Sequence, residues 1–325
     1  MGHSVGTKVF VSNRHEAGQL QMVRIILVGI AAGLAAALLF ASVISGSMAA
    51  VVLFYLAPLP IMIAALGFTQ LAGFVAAASA TAILATLSGA FLFAVAVISF
   101  GAWWLGYLSL LARPIGNGAG EQLEWYPVGR LVLCAAVIGV LVVAAAVPNF
   151  GTDQETLQAS LRRTYERILR DPSLIDLLVI AVAPAAAVVS TLTYLLNLWL
   201  AARIVKISGR LSRPWPDLAA MTLPQSALGL AALAIAASFL PDLFGILSGA
   251  WAASLVMAFV ILGFAVLHSA TRGMPGRPAL LAGVYAASLV LGWPLLILGV
   301  AGLAETIFDI RARVGRKHPP PTLRV

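Results

Sequence analysis

Ile25-Ile26-Leu27-Val28-Gly29-Ile30-Ala31-Ala32-Gly33-Leu34-Ala35-Ala36-Ala37-Leu38-Leu39-Phe40 opens a stretch in which no Asp, Glu, Lys or Arg occurs until Arg113. The uncharged run, residues 25–112, is 88 residues long and consists mostly of Ala, Leu, Val, Ile, Phe and Gly. Coiled as α-helix at about 1.5 Å per residue it would measure roughly 130 Å. A bilayer core is about 30 Å thick, so the run must cross it about four times. Spans are expected at 25–45, 48–66, 68–88 and 90–112, with turns at Ser45-Gly46-Ser47, Gly67 and Ser88-Gly89. Links this short make neighbouring helices antiparallel. The wealth of Ala and Gly, including Gly29-x-x-x-Gly33, suits close helix approach in lipid, where small residues form the interfaces.

Composition carries the same message along the rest of the chain. Of 325 residues, 61% are hydrophobic and only 10% charged, against about 25% charged in soluble domains. The excess of 20 basic over 12 acidic residues would suggest nucleic acid in a soluble protein, but here the bases sit between spans and are better explained as topology signals and headgroup contacts, so no nucleic-acid partner is expected. Cys134 is the single cysteine, so an intrachain disulfide and a cysteine zinc site are excluded. The first apolar run is longer than the usual signal-peptide core of about 7–15 residues, so an uncleaved first helix is expected.

Further spans are expected at about 130–148, 174–205, 222–241, 247–270 and 279–304, the last interrupted at Gly292-Trp293-Pro294. The fold class is thus an all-α, polytopic membrane helical bundle of about nine (8–10) spans. Residues 1–22 form a polar, partly irregular N-terminal segment, 23–310 one transmembrane domain, and 311–325 a basic, Pro-rich tail. The loop 113–130 carries glycines at 116, 118 and 120. One amphipathic helix outside the membrane is expected at about 153–170. It opens with a capping box at Thr152-Asp153-Gln154-Glu155, repeats Leu157, Leu161 and Tyr165 at helical spacing, and ends at Asp171-Pro172. Such a helix lies flat on the membrane surface or covers a cavity mouth.

With the N-terminus inside, the loop 113–130, the bases Arg203, Lys206, Arg210 and Arg213, and the pair Arg272/Arg277 all face the cytoplasm, as the positive-inside rule requires. Nine crossings would then leave the basic tail, with Arg311, Arg313, Arg316, Lys317 and Arg324, outside. Either the last apolar run is a hairpin broken at Pro294 or an earlier run does not cross. A cytoplasmic tail is the expectation, in the cytoplasmic membrane of a bacterium.

Every acid and base falls in a loop, a tail or a span end. Intramembrane acids and bases mark proton relays, so a proton-driven mechanism is disfavoured, although main-chain carbonyls remain able to bind Na⁺. Of the four histidines, His3, His15 and His318 lie in the tails, while His268 ends a span beside Arg272. No HExxH, GxSxG or Lys-bearing Gly-rich loop occurs, and no catalytic residue, metal site or cofactor is expected. Glu305 and Asp309 are four apart, with Arg313 four further on, which reads as a solvated salt pair.

The candidate ligand-binding residues are the few polar groups within spans. Gln70 follows the second turn beside Thr69, and Thr191, Thr193, Tyr194 and Asn197 cluster on the sixth helix. They suit either a neutral organic ligand or hydrogen bonding across helices as packing glue. Trp103-Trp104 and Trp293 suit ligand stacking or headgroup anchoring. Pro58 and Pro60 join the list because two prolines two apart unwind a helix, and non-helical backbone at membrane depth survives only in protein or lining a cavity.

These residues give the chain a resemblance to the YybS-like family of bacterial multi-pass membrane proteins. It rests on Leu56-Ala57-Pro58-Leu59-Pro60-Ile61-Met62, on Gly67 with Leu71-Ala72-Gly73, on Gly263-Phe264-Ala265-Val266-Leu267-His268, and on Gly302-Leu303-Ala304-Glu305-Thr306-Ile307-Phe308-Asp309-Ile310-Arg311. Gly302, Glu305, Asp309 and Arg311 carry the most specific part, with Glu305 standing where the family pattern has Asp; the amphipathic insert is a local addition. That family is similar to the substrate-binding S-components of energy-coupling-factor transporters. The resemblance implies capture of a small neutral molecule, an Ala/Gly docking face on the first helices, and an ATPase energising module or another membrane protein as partner. Two rival readings stand beside it. One is a structural or partner-binding membrane protein without transport, packed shut. The other is an intramembrane lipid-modifying enzyme, which needs His268, Glu305 and Asp309 to converge.

Overall fold

The computed structural model describes residues 5–87, 89–115 and 122–317. Ser88, Gly116, Gly118, Gly120, His3, His318 and Arg324, named above, lie outside the described residues. The chain divides into two compact units, Met1–Ala112 with Thr193–Arg213, and Arg113–Leu192 with Pro214–Val325.

The first unit holds α1 (Val5–Ala41), α2 (Met48–Tyr55), α3 (Pro58–Gly67), α4 (Gln70–Leu87), α5 (Leu92–Ser109) and the last part of α8 (Pro172–Ile207). α1 begins at Val5, so residues 5–22 continue the helix of the first span instead of forming an irregular polar segment. Side chains set the breaks between helices. Ser47 caps α2 by accepting from Ala50 N, and Thr69 Oγ1 accepts from Ala72 N at the start of α4. Gly29 and Gly33 sit against α4. A Cβ at Gly29 would stand 2.7 Å from Val75 Cβ, and one at Gly33 would stand 2.6 Å from the Ala76 carbonyl oxygen. The expected small-residue face is therefore real, and α4 occupies it. Ala65 of α3 fills a second such contact, between Gly73 of α4 and Gly106 of α5.

The second unit begins within a two-stranded ribbon, β1 (Ala112–Ile115) and β2 (Gln122–Trp125), where a loop was expected. Arg113 Nε bonds Glu124 Oε2 across it at 2.5 Å. The unit continues with α6 (Val128–Ala146), α7 (Gln154–Glu166), the first part of α8, α9 (Ser226–Ala237), α10 (Asp242–Ala270), α11 (Arg277–Leu291), α12 (Pro294–Phe308) and α13 (Ile310–Lys317). α7 does open with a capping box, but one residue later than expected: Asp153 caps and Thr156 reciprocates, in place of Thr152 and Glu155. α7 packs its apolar face on the unit. Leu157 is buried with Val143, Val147, Ala183, Ala187 and Ala250, and Leu161 packs against the same cluster. The helix closes one end of the unit by inserting Leu157 among α6, α8 and α10.

Seven helical stretches among the described residues are long and apolar enough to cross a membrane, two fewer than the nine expected. Two sites account for the difference. The run 222–241 supports a helix of only 12 residues, because Pro224 delays its start and Ser238–Pro241 cuts it short. At about 1.5 Å per residue α9 spans roughly 18 Å. The run 279–304 bends by 117° between α11 and α12. Gly292, at φ 72°, supplies a backbone conformation that L side chains avoid, and Pro294 starts the new helix.

Both ends of this bent run are tied to the same end of the unit. At its start, Arg277 Nη2 donates to the His268 carbonyl near the end of α10. At its close, Arg311 donates to the carbonyls of Ala219 and Met221, and Asp217 just before them pairs with Arg272. α11 and α12 therefore go out and come back. A bend of 117° is the geometry of the hairpin broken at Pro294, one of the two arrangements expected for the last run. Gly263 and Gly302 make the return possible: a Cβ on Gly302 would strike the Phe259 carbonyl, and one on Gly263 the Leu298 carbonyl.

Two outcomes follow for measurement. In a Cys134→Ala background, Ala220→Cys and Arg313→Cys should react with a membrane-impermeant maleimide from the same side; labelling from opposite sides would require the last run to cross. Gly302→Ala should lower the melting temperature, as overpacking costs about 1–3 kcal/mol, whereas Gly283→Ala, where a Cβ meets open space, should not.

Candidate functional site

The proline pair and the sixth-helix polar group meet at one point in the first unit. In an unbroken helix the Tyr55 carbonyl would accept from Leu59 N. Pro58 and Pro60 have no N–H to offer, and the bonds there shorten by one residue. Ala57 N donates to Phe54 O at 3.1 Å and Leu59 N to Leu56 O at 3.0 Å. Tyr55 O thereby loses its helical donor, and Asn197 Nδ2 takes it at 2.8 Å. The same amide donates to the Thr193 carbonyl at 2.8 Å, one turn earlier on α8. Asn197 is fully buried, and its Oδ1 has no partner among the described residues.

Tyr194, three residues before Asn197, is 2% exposed and donates its hydroxyl to Ile98 O at 3.0 Å, so it ties α8 to α5. Ser99, next on α5, is fully buried with an unpartnered Oγ. Thr193 contributes its carbonyl to Asn197. Of the sequence candidates, then, the structure brings together Pro58, Pro60, Thr193, Tyr194 and Asn197, as ties that close a broken helix. Gln70 belongs to another group: its carbonyl accepts from Trp103 Nε1 at 3.0 Å. Trp103 stands edge-on to Phe74 and stacks on Tyr107, so its ring is committed to the core of the unit. Thr191 falls in the second unit, where its hydroxyl bonds Ala187 O at 2.8 Å and faces Ser254 Oγ at 3.4 Å.

The closing motif forms a second group. Glu305 does not share a solvated face with Asp309 and Arg313, as its spacing suggested. Asp309 adopts a left-handed conformation (φ 48°) that ends α12, and the chain turns so that Arg311 comes back to Glu305. Arg311 Nε bonds Glu305 Oε1 at 2.8 Å and its main-chain N–H reaches Oε2 at 3.2 Å. The Glu305 side chain is 3% exposed. The remaining guanidinium nitrogens are taken by Ala219 O at 2.5 Å and Met221 O at 2.7 Å. A buried carboxylate is tolerable only when neutralised and hydrogen-bonded, and this one is both. Gly302, Glu305, Asp309 and Arg311 thus latch the end of α12 to the segment before α9.

Close by in sequence to that segment, Arg272 Nη2 reaches Asp217 Oδ1 and Oδ2 at 2.8 and 2.7 Å. The Arg272 hydrogen bond holds the Asp217 carboxyl below the usual carboxylate range. A depressed folded-state pKa makes this contact persist as pH falls through that range, to be lost only further down.

His268, expected to lie beside Arg272, instead joins Tyr285 and Arg277. Sequence reading missed Tyr285, because only the turn with Gly273 and Gly276 at positive φ carries α11 back to α10. His268 and Glu305 sit in separate hydrogen-bonded groups, and among the described residues no cluster of three or more His, Cys, Asp or Glu is suited to a metal ion. No family model, curated protein or solved structure matches the chain, so the YybS-like resemblance rests on the quoted residues alone.

The Glu305–Arg311 latch is open to a direct test. Arg311→Met should destabilise the protein by about 3–5 kcal/mol, since it strands a buried carboxylate. Glu305→Leu combined with Arg311→Met should recover most of that loss. Equal losses in the single and double variants would show that the pair is not a coupled unit.

Proposed function

We propose that the protein is a multi-pass α-helical protein of the bacterial cytoplasmic membrane, with its N-terminus inside, that acts by binding another membrane component and transports nothing itself. One observation carries this reading. Tyr194 and Asn197, the polar side chains best suited to hold a neutral ligand, are buried and donate to main-chain carbonyls of their own unit. Their donors are spent on the unit's own backbone, which supports packing over ligand capture. Most of the Gly29/Gly33 face is likewise spent on α4, so a partner would meet other helix surfaces. The inside placement of the N-terminus follows from the bases of Arg203–Arg213 and the acid-richer stretch 153–176.

S-component-like capture of a small neutral molecule remains the second reading, and a specific observation favours it. Asn197 Oδ1 and Ser99 Oγ are buried without partners, and native structures leave few such atoms without a reason. A ligand N–H or O–H would supply one. The YybS-like resemblance points the same way. The lipid-modifying enzyme reading has less support, because His268 bonds Tyr285 and Arg277 while Glu305 bonds Arg311.

Asn197→Leu separates the first two. It strands the Tyr55 carbonyl, and stability should fall by about 1–3 kcal/mol. Mass spectrometry of extracts from purified protein should find no small molecule that the folded variant loses. A stoichiometric neutral compound present in the wild type and absent from Asn197→Leu would transfer the protein to the capture reading. Recovery of an ATPase module from native membranes would do the same.

A further inference from the structure

Three arginines in the second unit have partners of different kinds. Arg272 is paired with Asp217, and Arg311 with Glu305. Arg277 has no carboxylate among the described residues. Its Nη2 reaches His268 Nδ1 at 3.5 Å and the His268 carbonyl at 3.4 Å, and its Nε is buried with no partner.

The hydrogen-bond roles in this group can be assigned by elimination. A guanidinium only donates, so His268 Nδ1 is the acceptor and the ring proton sits on Nε2. Nε2 then donates to the Tyr285 hydroxyl oxygen at 2.8 Å. That leaves the phenol proton to be given outward, from a side chain that is 42% exposed. The group therefore offers a positive charge with a phenol donor beside it. Arg277 is also the first residue of α11, at the positive end of the helix dipole.

We propose that Arg277, His268 and Tyr285 form a site for the phosphate of an anionic phospholipid headgroup. A phosphodiester is an anion with acceptors only, and guanidinium is the side chain best matched to it. The surroundings favour a lipid over free phosphate. The Tyr285 ring stacks on Phe264 with centroids 4.8 Å apart and planes at 6°. Leu280 and Leu289 on the same helix are exposed apolar residues beside which acyl chains can lie. The site stands at the end of α10, one of the helices able to cross a membrane, at the level where headgroups are expected.

The test uses the full-length protein in detergent, with retained lipid measured by native mass spectrometry after exposure to micelles of phosphatidylglycerol or phosphatidylcholine. Wild type should retain phosphatidylglycerol in preference, and Arg277→Gln should lower that preference roughly fivefold. Tyr285→Phe should lower it less, and Arg272→Gln, whose guanidinium is already paired, should leave it unchanged. Arg277→Lys, which keeps the charge and loses the fork, should fall between and serves if Arg277→Gln does not fold. An Arg277→Gln protein that is folded and still prefers phosphatidylglycerol as wild type does would overturn the proposal. Full displacement by millimolar inorganic phosphate would assign the site to free phosphate and overturn the lipid assignment.

Discussion

A main-chain carbonyl released from a helix in an apolar interior finds no water, and leaving it unpaired costs as much as a lost hydrogen bond. Pro58 and Pro60 release Tyr55 O, and the amide of Asn197 replaces the missing donor. The order of the first unit depends on that substitution. It lets α2 and α3 form one apolar span despite the interruption at Pro58 and Pro60. It also fixes Tyr194 one turn away so that its hydroxyl meets Ile98 O. A polar residue on one helix thus repairs the backbone of another, one of the ways a transmembrane break is made tolerable.

Elsewhere the structure is held by close backbone approach. Without a hydrophobic force between helices in lipid, dispersion contacts gather where side chains are absent. Gly29, Gly33, Gly73 and Gly106 serve the first unit in this way, and Gly139, Gly263 and Gly302 the second. In the stretches long enough to cross a membrane, charge lies toward the ends, where pairing decides its role. Glu305 is the exception that tests the pattern: it sits in the last turn of α12 yet is buried, and it persists because Arg311 neutralises it and also binds the segment before α9.

Much of this is legible in the chain. The charge-free stretch gives four spans, the Gly29–Gly33 spacing gives their contact, and Thr152–Glu155 marks where α7 begins. The proline break is visible as well. Its repair is not, because Asn197 lies 142 residues away and a single amide in an apolar helix does not announce its partner. The reading of Glu305 fails for a different reason. Helical spacing to Asp309 and Arg313 assumes that the helix continues, whereas the left-handed turn at Asp309 ends it and brings residue 311 into reach. Length misleads at 222–241, where apolar composition continues after the helix has stopped. At 292–294 the break is evident in Gly292-Trp293-Pro294, but nothing local says that the chain turns back.

The dependence of the proline break on Asn197 is lopsided, and that imposes an order on sequence change. If the prolines are lost first, Leu59 N–H can return to Tyr55 O and the amide keeps its bond to Thr193 O, so the intermediate folds. If Asn197 is lost first, a buried carbonyl is stranded and the intermediate is impaired. Divergence should therefore pass through chains that keep the asparagine without the prolines, and the opposite combination should be rare among relatives.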